Sequence, residues 1–170
     1  MLLQGKSDEE DFQRVYEQHI DAVYRVCYGF MKNSADAEDA AQETFFRLLQ
    51  KGESQSFENA SHERAWLIVT ASNICKNALK SWTKQKREEV NNTDELPSTY
   101  EKEDKINPVL EAVLALPDKY KTAIYLYYYE EYSCREIASA MGKKESSVRS
   151  LLKRGRGILE KKLGGGVDEK

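Results

Sequence analysis

Residues 133–156 read SCREIASAMGKKESSVRSLLKRGR, and their pattern decides how the chain is interpreted. Ser133 and Glu136 have the spacing of a capping box, which predicts that a helix begins here. Gly142 can adopt the left-handed conformation that ends a helix, and apolar residues recur at helical spacing from Val148 onward. The segment therefore predicts two helices joined by a tight turn, which is the spacing of a helix-turn-helix.

The second of these helices concentrates positive charge. Three basic side chains separated by four and three residues share one helical face, with serines beside them. Arg and Lys bind phosphates and guanine edges, and Ser contacts several bases. A solvated helix surface is the alternative, but the turn, the cap and the charge together favour duplex DNA. The candidate contact residues are Lys144, Ser146, Ser147, Arg149, Ser150, Lys153, Arg154 and Arg156.

Charge alternates along the chain, although the formal net charge is only −3. Residues 8–58 contain 12 acidic and 5 basic residues, whereas residues 62–88 contain 2 acidic and 6 basic ones. The alternation continues with 8 acidic and 2 basic residues in 89–118, then 2 acidic and 8 basic residues in 141–163. Two basic blocks in an acidic chain predict two contacts with a polyanion, and acidic surface that faces another partner.

Composition narrows the classes of protein further. No apolar run approaches the length of a membrane span, and the N-terminal residues lack the apolar stretch of a secretion signal, so we expect a cytoplasmic protein without membrane contact. Cys27, Cys75 and Cys134 are far apart, and the only histidines are His19 and His62. We therefore expect reduced structural thiols, no metal site and no cofactor.

Apolar periodicity predicts three long helices over residues 8–32, 34–50 and 61–87, which are long enough to bury one shared core. The expected N-cap residues of the second and third helices are Ser34 and Ser61. The inner face of the third helix is expected to comprise Ala65, Ile68, Ser72, Cys75, Leu79 and Trp82.

The chain is therefore expected to be all-α with two small helical domains. A three-helix domain spans residues 8–87, and a four-helix domain that contains the helix-turn-helix spans residues 107–163. Residues 88–106 are polar, acidic and without apolar periodicity, which predicts a flexible linker. Residues 164–170 are expected to form a flexible tail.

The second domain also contains a segment rich in tyrosine, residues 117–132. Helical spacing places one set of side chains on the expected core face: Tyr120, Ile124, Tyr127 and Tyr128. Three other tyrosines fall outside that stripe: Tyr125, Tyr129 and Tyr132. They are candidates for apolar contacts with an inhibitory protein partner, and simple burial within the second domain is the alternative.

Three segments in this order resemble the extracytoplasmic-function (ECF) group of bacterial sigma factors. They are DAEDAAQETFFRLL at 36–49, ERAWLIVTASNICKN at 63–77, and the helix-turn-helix. The resemblance extends over about residues 10–163. It implies a protein that binds core RNA polymerase and directs transcription initiation at specific promoters. The first domain would bind polymerase and the minus-ten element, and the second would bind the minus-35 element.

The resemblance also implies roles for individual residues. The implied polymerase-binding residues, which form an acidic strip with an aromatic edge, are Asp36, Asp39, Gln42, Glu43 and Phe46. The implied minus-ten residues are Phe57, Asn59, Arg64, Trp66, Asn73, Lys76 and Lys80. Core packing is the alternative role for the two tryptophans. The implied partners are core polymerase, promoter DNA as duplex and as melted strand, and an anti-sigma factor.

Two other functions compete with this interpretation. A helix-turn-helix regulator could bind operator DNA without polymerase, but it leaves the acidic strip and the basic third helix unexplained. An enzyme is disfavoured because the sequence has no glycine-rich phosphate loop, no nucleophile motif and no ligand cluster.

Overall fold

A computed structural model describes residues 6–51, 57–85 and 108–163 of the chain. Regular structure in these residues is helical, as expected from the sequence. Three long helices come first, and three short helices and a fourth of 18 residues follow. They are α1 (Lys6–Met31), α2 (Ser34–Lys51), α3 (Ala60–Gln85), α4 (Pro108–Leu114), α5 (Asp118–Ile124), α6 (Cys134–Met141) and α7 (Glu145–Lys162).

The helices form two compact units, Met1–Glu95 and Leu96–Lys170. The expectation of an all-α fold with two small helical domains is confirmed, with α1 to α3 in the first unit and α4 to α7 in the second. The predicted linker, residues 88–106, and the predicted tail, residues 164–170, lie outside the described residues.

The first unit is a bundle in which α1, α2 and α3 each pack against the other two. Val23 of α1, Ala37 of α2 and Ile68 of α3 are completely buried. Each large aliphatic side chain removed from water contributes about 1.5–3 kcal/mol to folding. Phe45 of α2 packs edge-on against Tyr16 of α1, with 4.8 Å between ring centroids. This shared core fixes which faces of α2 and α3 remain exposed.

Two cysteines meet inside this bundle. Cys27 of α1 and Cys75 of α3 are both buried free thiols. The hydrogen bond with Cys75, followed by burial, raises the pKa of the Cys27 thiol well above its ordinary value. Cys27 is therefore protonated near neutral pH and packs as a small apolar group, in agreement with the expectation of structural thiols.

The start of α2 differs from the prediction by one residue. Asn33, and not Ser34, is the N-cap residue, because its carbonyl already accepts the first helical hydrogen bond from the Ala37 amide at 3.1 Å. The Asn33 Oδ1 atom accepts a hydrogen bond from the Asp36 amide at 2.9 Å. In return, its Nδ2 atom donates to the Asp36 carboxylate at 2.7 Å. The prediction failed because Asn and Ser cap equally well and stand side by side.

Burial along α3 decreases towards its C-terminal end. Ala65, Ile68, Ser72 and Cys75 are buried as predicted, but Trp82 is 41% exposed. The expectation that Trp82 packs in the core is therefore wrong. Leu79, one turn earlier, is already only half-buried, so the apolar periodicity of α3 continues past the end of the core.

The helix-turn-helix of the second unit has the predicted local structure. The Ser133 hydroxyl accepts a hydrogen bond from the Glu136 amide at 3.1 Å, and the Glu136 carboxylate accepts one from the Ser133 amide at 2.9 Å. This capping box begins α6. Gly142 ends the helix at φ 67°, where a residue without Cβ avoids strain. The Lys143 amide donates to the Ala138 carbonyl across this turn at 3.0 Å.

The tyrosine-rich segment differs from its prediction because it contains a π-helical turn over Tyr125–Tyr129. The Glu130 amide donates to the Tyr125 carbonyl at 3.1 Å, five residues back, so the segment holds one residue more than an α-helical turn. The extra residue rotates the later side chains to the other face. Tyr125 at the start of this turn is buried, as is Tyr132 beyond it, whereas Tyr128 within it is 40% exposed. The predicted core position of Tyr128 is therefore wrong, and for Tyr125 and Tyr132 the alternative of burial holds. Tyr129 is half-buried.

α5 and α7 approach each other closely at Gly155. A Cβ atom at this position would lie 2.6 Å from Ile124 Cγ1 and 3.3 Å from Tyr120 Cβ. The absence of a side chain therefore allows the two helices to pack at their observed distance. Gly157, two residues farther along the same helix, has nothing within 4 Å of its Cβ position.

The pair of glycines gives a direct test of this packing. We expect Gly155→Ala to lower the free energy of unfolding by about 1–2 kcal/mol, because the new methyl group overpacks the contact with α5. Gly157→Ala is the matched control, and should raise it by up to about 1 kcal/mol because Ala is the better helix former. Urea unfolding followed by far-ultraviolet circular dichroism measures both. Equal stability of the two variants would show that α5 moves aside at no cost.

Candidate nucleic-acid and protein interfaces

The exposed face of α2 carries acidic and apolar side chains together. Asp39, Gln42 and Phe46 are exposed, and Glu43 is partly exposed between them. Leu49 continues this face and is 55% exposed, while Phe46 is 53% exposed. We call these five residues the α2 strip. Two carboxylates beside two large exposed apolar groups are suited to a basic, amphipathic protein surface.

Two of the acidic residues on α2 already have partners within the helix. The Asp36 carboxylate is held by Asn33, so it serves the helix cap and lies partly buried rather than on the strip. Glu43 pairs with Arg47 at 3.2 Å. Because this ion pair is exposed on both sides, its net contribution is at most about 1 kcal/mol, and it leaves Glu43 accessible to a partner.

An aromatic cleft lies where the chain enters α3. Phe57 and Trp66 lie with their ring centroids 5.8 Å apart and their planes tilted by 58°. His62 packs edge-on against Phe57 at 5.4 Å. The Lys51 ammonium lies over both rings, 4.8 Å from the Phe57 centroid and 5.1 Å from that of Trp66. Phe57, Trp66 and His62 together are called the aromatic cleft, and Lys51 covers it. Core packing does not account for Trp66, which is only half-buried.

Asn59 lies next to this cleft and caps α3. Its carbonyl accepts from the Glu63 amide at 3.1 Å, and its Oδ1 atom accepts from the His62 amide at 2.8 Å. The predicted cap Ser61 is therefore wrong by two residues. The cap explains how Asn59 fixes the position of His62, since the two residues are held within one turn.

The outer face of α3 collects three of the predicted minus-ten residues. Asn73 and Lys80 are exposed and Lys76 is half-buried, and their spacing of three and four residues places them on one side of the helix. Arg64 does not join them. It lies on the opposite side of α3, where its NH1 atom is 3.2 Å from Nδ1 of His19 in α1.

His19 makes a buried contact between α1 and α3 that the sequence analysis did not predict. It is 2% exposed, and its Nε2 atom is 3.2 Å from the Glu63 carboxylate. A guanidinium can only donate, so Nδ1 is the acceptor, and Nε2 carries the proton that is donated to Glu63. His19 thereby joins α1 to the first turn of α3. The available signal was a polar residue in a buried stripe, midway between Val15 and Val23.

In the second unit, α7 separates apolar and basic faces cleanly. Val148, Leu152 and Leu159 are buried and pack towards the other helices. All the predicted DNA-contacting residues are exposed on the remaining surface, which we call the α7 face. It consists of Lys144, Ser146, Ser147, Arg149, Ser150, Lys153, Arg154 and Arg156.

Two contacts orient the long side chains of the α7 face. Arg149 donates to the Glu145 carboxylate at 3.0 Å, one turn earlier. Arg156 donates through Nε to the Tyr128 hydroxyl at 2.9 Å, which leaves its two terminal nitrogens directed away from that contact. Tyr128 was missed as part of this surface because the π-helical turn that exposes it leaves no mark in the apolar spacing.

Over 6–51, 57–85 and 108–163, no three His, Cys, Asp or Glu side chains come together in a way that could hold a metal ion. None of the helices in these ranges is both long and apolar enough to cross a membrane.

Comparison with known families assigns both units. Residues 15–87 match Sigma-70 region 2, and residues 106–159 match Sigma-70 region 4. The first match covers α2, the aromatic cleft and α3, and the second covers the helix-turn-helix through Leu159. The class of protein is therefore a sigma-70-type transcription initiation factor built from regions 2 and 4.

Individual relatives narrow the class. The ECF RNA polymerase sigma factor SigW of Bacillus subtilis is 30% identical over 93% of this chain and 91% of its own length. SigM of the same organism is 29% identical over 91% of this chain and 96% of its own. The chain belongs to the ECF group of RNA polymerase sigma factors, which recognise promoters and direct transcription initiation.

Solved structures share the fold. The sigma factor RpoE in complex with the anti-sigma factor NepR from Bartonella quintana matches with a TM-score of 0.72. It is 19% identical in sequence, and the match covers 93% of this chain and 99% of that one. CnrH in complex with the cytosolic domain of CnrY matches with a TM-score of 0.60 at 16% identity, covering 94% and 91%.

The buried contact of His19 gives a test of the first unit. We expect His19→Ala to lower its free energy of unfolding by about 1–3 kcal/mol, because Glu63 and Arg64 lose a hydrogen-bond partner in a nearly dry site. Both tryptophans lie in this unit, so tryptophan fluorescence during urea unfolding reports on it. Arg14→Ala, which removes an exposed pair with Asp11, is the control and should change stability by less than about 0.5 kcal/mol. Equal effects would show that the His19 contact does not stabilise the fold.

Proposed function

We propose that this sigma factor uses three separate surfaces for its three contacts. The α2 strip binds core RNA polymerase, the aromatic cleft and the outer face of α3 bind the melted minus-ten strand, and the α7 face binds the minus-35 duplex. Residues 8–87 and 107–163 act as the two domains, and residues 88–106 as the connection between them. The observation that carries the proposal is that all residues of the α7 face are exposed, opposite a buried apolar face.

The chemistry of each surface supports its assigned contact. Basic and hydroxyl side chains along one helix suit phosphates and base edges in a major groove. Aromatic rings with lysines nearby suit an unpaired strand, whose bases stack and whose phosphates need cations. An acidic strip with apolar groups excludes nucleic acid by charge and suits a basic protein. An operator-binding regulator would need only the first of these surfaces.

Three further statements belong to this proposal. The chain has no catalytic function of its own and contributes specificity to the polymerase. It acts in the cytoplasm, where polymerase and promoter DNA meet. An anti-sigma factor holds it inactive, as the complex of RpoE with NepR suggests for a protein of the same fold. Two of the three tyrosines that the sequence offered for this contact do not support it, since Tyr125 and Tyr132 are buried.

The whole proposal is tested by run-off transcription. Core polymerase is mixed with fragmented genomic DNA, with and without the protein, and the transcripts are mapped. Transcripts that depend on the protein and share upstream motifs are the expected result. DNA binding without any new transcript would favour the operator-binding regulator.

Charge reversal tests the α2 strip. We expect the double change Asp39→Lys and Glu43→Lys to weaken binding to core polymerase at least tenfold, because both carboxylates would repel a basic docking surface. The matched control reverses Glu17 and Asp21, which have the same spacing and are exposed on α1. Binding is measured by competition with the unmodified chain, and circular dichroism checks that the variants fold. An equal loss in both variants would remove the strip as the docking site.

Two arginines of the α7 face are expected to make different kinds of contact with DNA, one with a base and the other with a phosphate. Arg149→Ala should cost about 1–3 kcal/mol and relax the preference at one base pair, because Arg149 lies in the first turns of the helix where base edges are read. Arg156→Ala should weaken all sequences alike and reduce the salt slope by about 0.9, because it neutralises one phosphate. Binding of holoenzyme to minus-35 variants across a salt series separates the two. A uniform loss with Arg149→Ala would make Arg149 a phosphate contact.

A further inference from the structure

The aromatic cleft holds a cation of the protein itself. Lys51, the last residue of α2, places its ammonium within 5.1 Å of the ring centroids of both Phe57 and Trp66. Its side chain is half-buried, and desolvation lowers its pKa. No sequence pattern singled out Lys51, because an isolated lysine at the end of a helix is ordinary.

The aromatic rings of the cleft are also held in place by contacts of their own. The Glu58 amide donates to Nδ1 of His62 at 3.2 Å, and the His62 ring packs edge-on against Phe57. Phe57 is thus supported from one side while Lys51 lies over its face. The cleft is therefore formed by contacts among described residues before any ligand enters.

An ammonium and a nucleobase compete for the same surface. A cation binds the face of an aromatic ring through the ring quadrupole, with about 0.5–2 kcal/mol of attraction. A base of a single strand stacks on the same face, with about 1–3 kcal/mol per base. Because Lys51 lies over both rings, a base cannot stack on the covered faces of Phe57 and Trp66 until the ammonium has moved.

We propose that Lys51 is a specificity-determining residue for the melted strand: it covers the aromatic cleft in the free protein, and an extruded base displaces it onto a neighbouring phosphate. The proposal rests on the proposed role of the cleft in minus-ten binding. A flexible four-carbon stem allows the ammonium to move while α2 stays in place. Release relieves the desolvation that lowers its pKa, and the phosphate replaces the attraction of the rings.

The exchange makes base stacking and charge pairing a single coupled event. A base that stacks in the cleft displaces Lys51, which then contacts a phosphate. Where the base is missing, Lys51 stays in the cleft, and the complex gains neither the stacking nor the phosphate contact. Discrimination at this position therefore contains the phosphate contact of Lys51 in addition to stacking, less the attraction between Lys51 and the rings that the base has to overcome. Lys51 differs in position from Lys76 and Lys80, which lie on the outer face of α3.

The test is a cycle of protein and DNA changes. Holoenzyme is formed from core polymerase and either the unmodified chain, Lys51→Met or Lys51→Arg. Its affinity is measured across a salt series for a fork-junction DNA taken from a promoter found by run-off transcription. The measurement is repeated on the same DNA with an abasic site in the minus-ten element. The abasic site is placed at the position where loss of the base weakens binding most. Lys119→Met is the matched control, since Lys119 lies 5.4 Å over Tyr120 in the second unit.

The salt slope is the change in log affinity per tenfold change in salt concentration. On intact DNA we expect Lys51→Met to make this slope less steep by about 0.7. When salt rises from about 50 to about 200 mM, the variant should therefore lose about 2.6-fold less affinity than the unmodified chain loses. Lys51→Arg and Lys119→Met should keep the slope of the unmodified chain. On abasic DNA the unmodified chain and Lys51→Met should have equal slopes, because Lys51 then stays in the cleft.

Two results would overturn the proposal. Equal slopes for the unmodified chain and Lys51→Met on intact DNA would show that Lys51 reaches no phosphate. An undiminished difference on abasic DNA would show that its phosphate contact is independent of the base. Failure of the proposed function is distinct from both, since it appears as the absence of promoter-dependent transcripts with the unmodified chain.

Discussion

The close approach of α5 and α7 at Gly155 is the constraint on which the second unit depends. A helix can present one face to DNA only if its opposite face is held firmly, and here the holding surface is Val148, Leu152 and Leu159 packed into the unit. Gly155 lies in the middle of that surface, where a Cβ atom would collide with Ile124. The turn at Gly142 then sets the direction in which α7 leaves α6. Exposure of the α7 face is thus a consequence of packing on the other side of the helix.

In the first unit, too, packing on one side of each helix determines which side chains remain exposed on the other. Its three helices share one core, so each helix keeps a separate outer face. The outer face of α2 is acidic and apolar, and that of α3 is polar and basic, so one small bundle keeps two surfaces of different charge apart. His19 ties α1 to the first turn of α3 through Glu63 and Arg64. The position of the aromatic cleft follows from this anchor, because His62 and Trp66 belong to the same part of α3.

Charge in this protein acts through its location rather than through its total. A formal net charge of −3 gives no indication of nucleic-acid binding. Folding nevertheless exposes basic side chains on one side of α7, where the local field is positive. The α2 strip instead exposes acidic side chains, so the local field there is negative. Exposed charge pairs such as Glu43 with Arg47 contribute little to stability, which leaves these residues available for partners.

The sequence by itself determined the helical class, the two-domain order, the helix-turn-helix and the identity of the α7 face. These features are local: the capping box at Ser133, the glycine at 142 and the apolar spacing of α7 depend on residues within a few turns. Only the tertiary structure decided features that depend on contacts between distant segments. His19 meets Glu63 and Arg64 across 44 and 45 residues, and no periodicity encodes such a pairing. The π-helical turn over Tyr125–Tyr129 changed which face the later side chains occupy, because a single extra residue rotates the helix without changing the composition. Lys51 joined the aromatic cleft for the same reason, since the end of one helix met the start of the next in three dimensions.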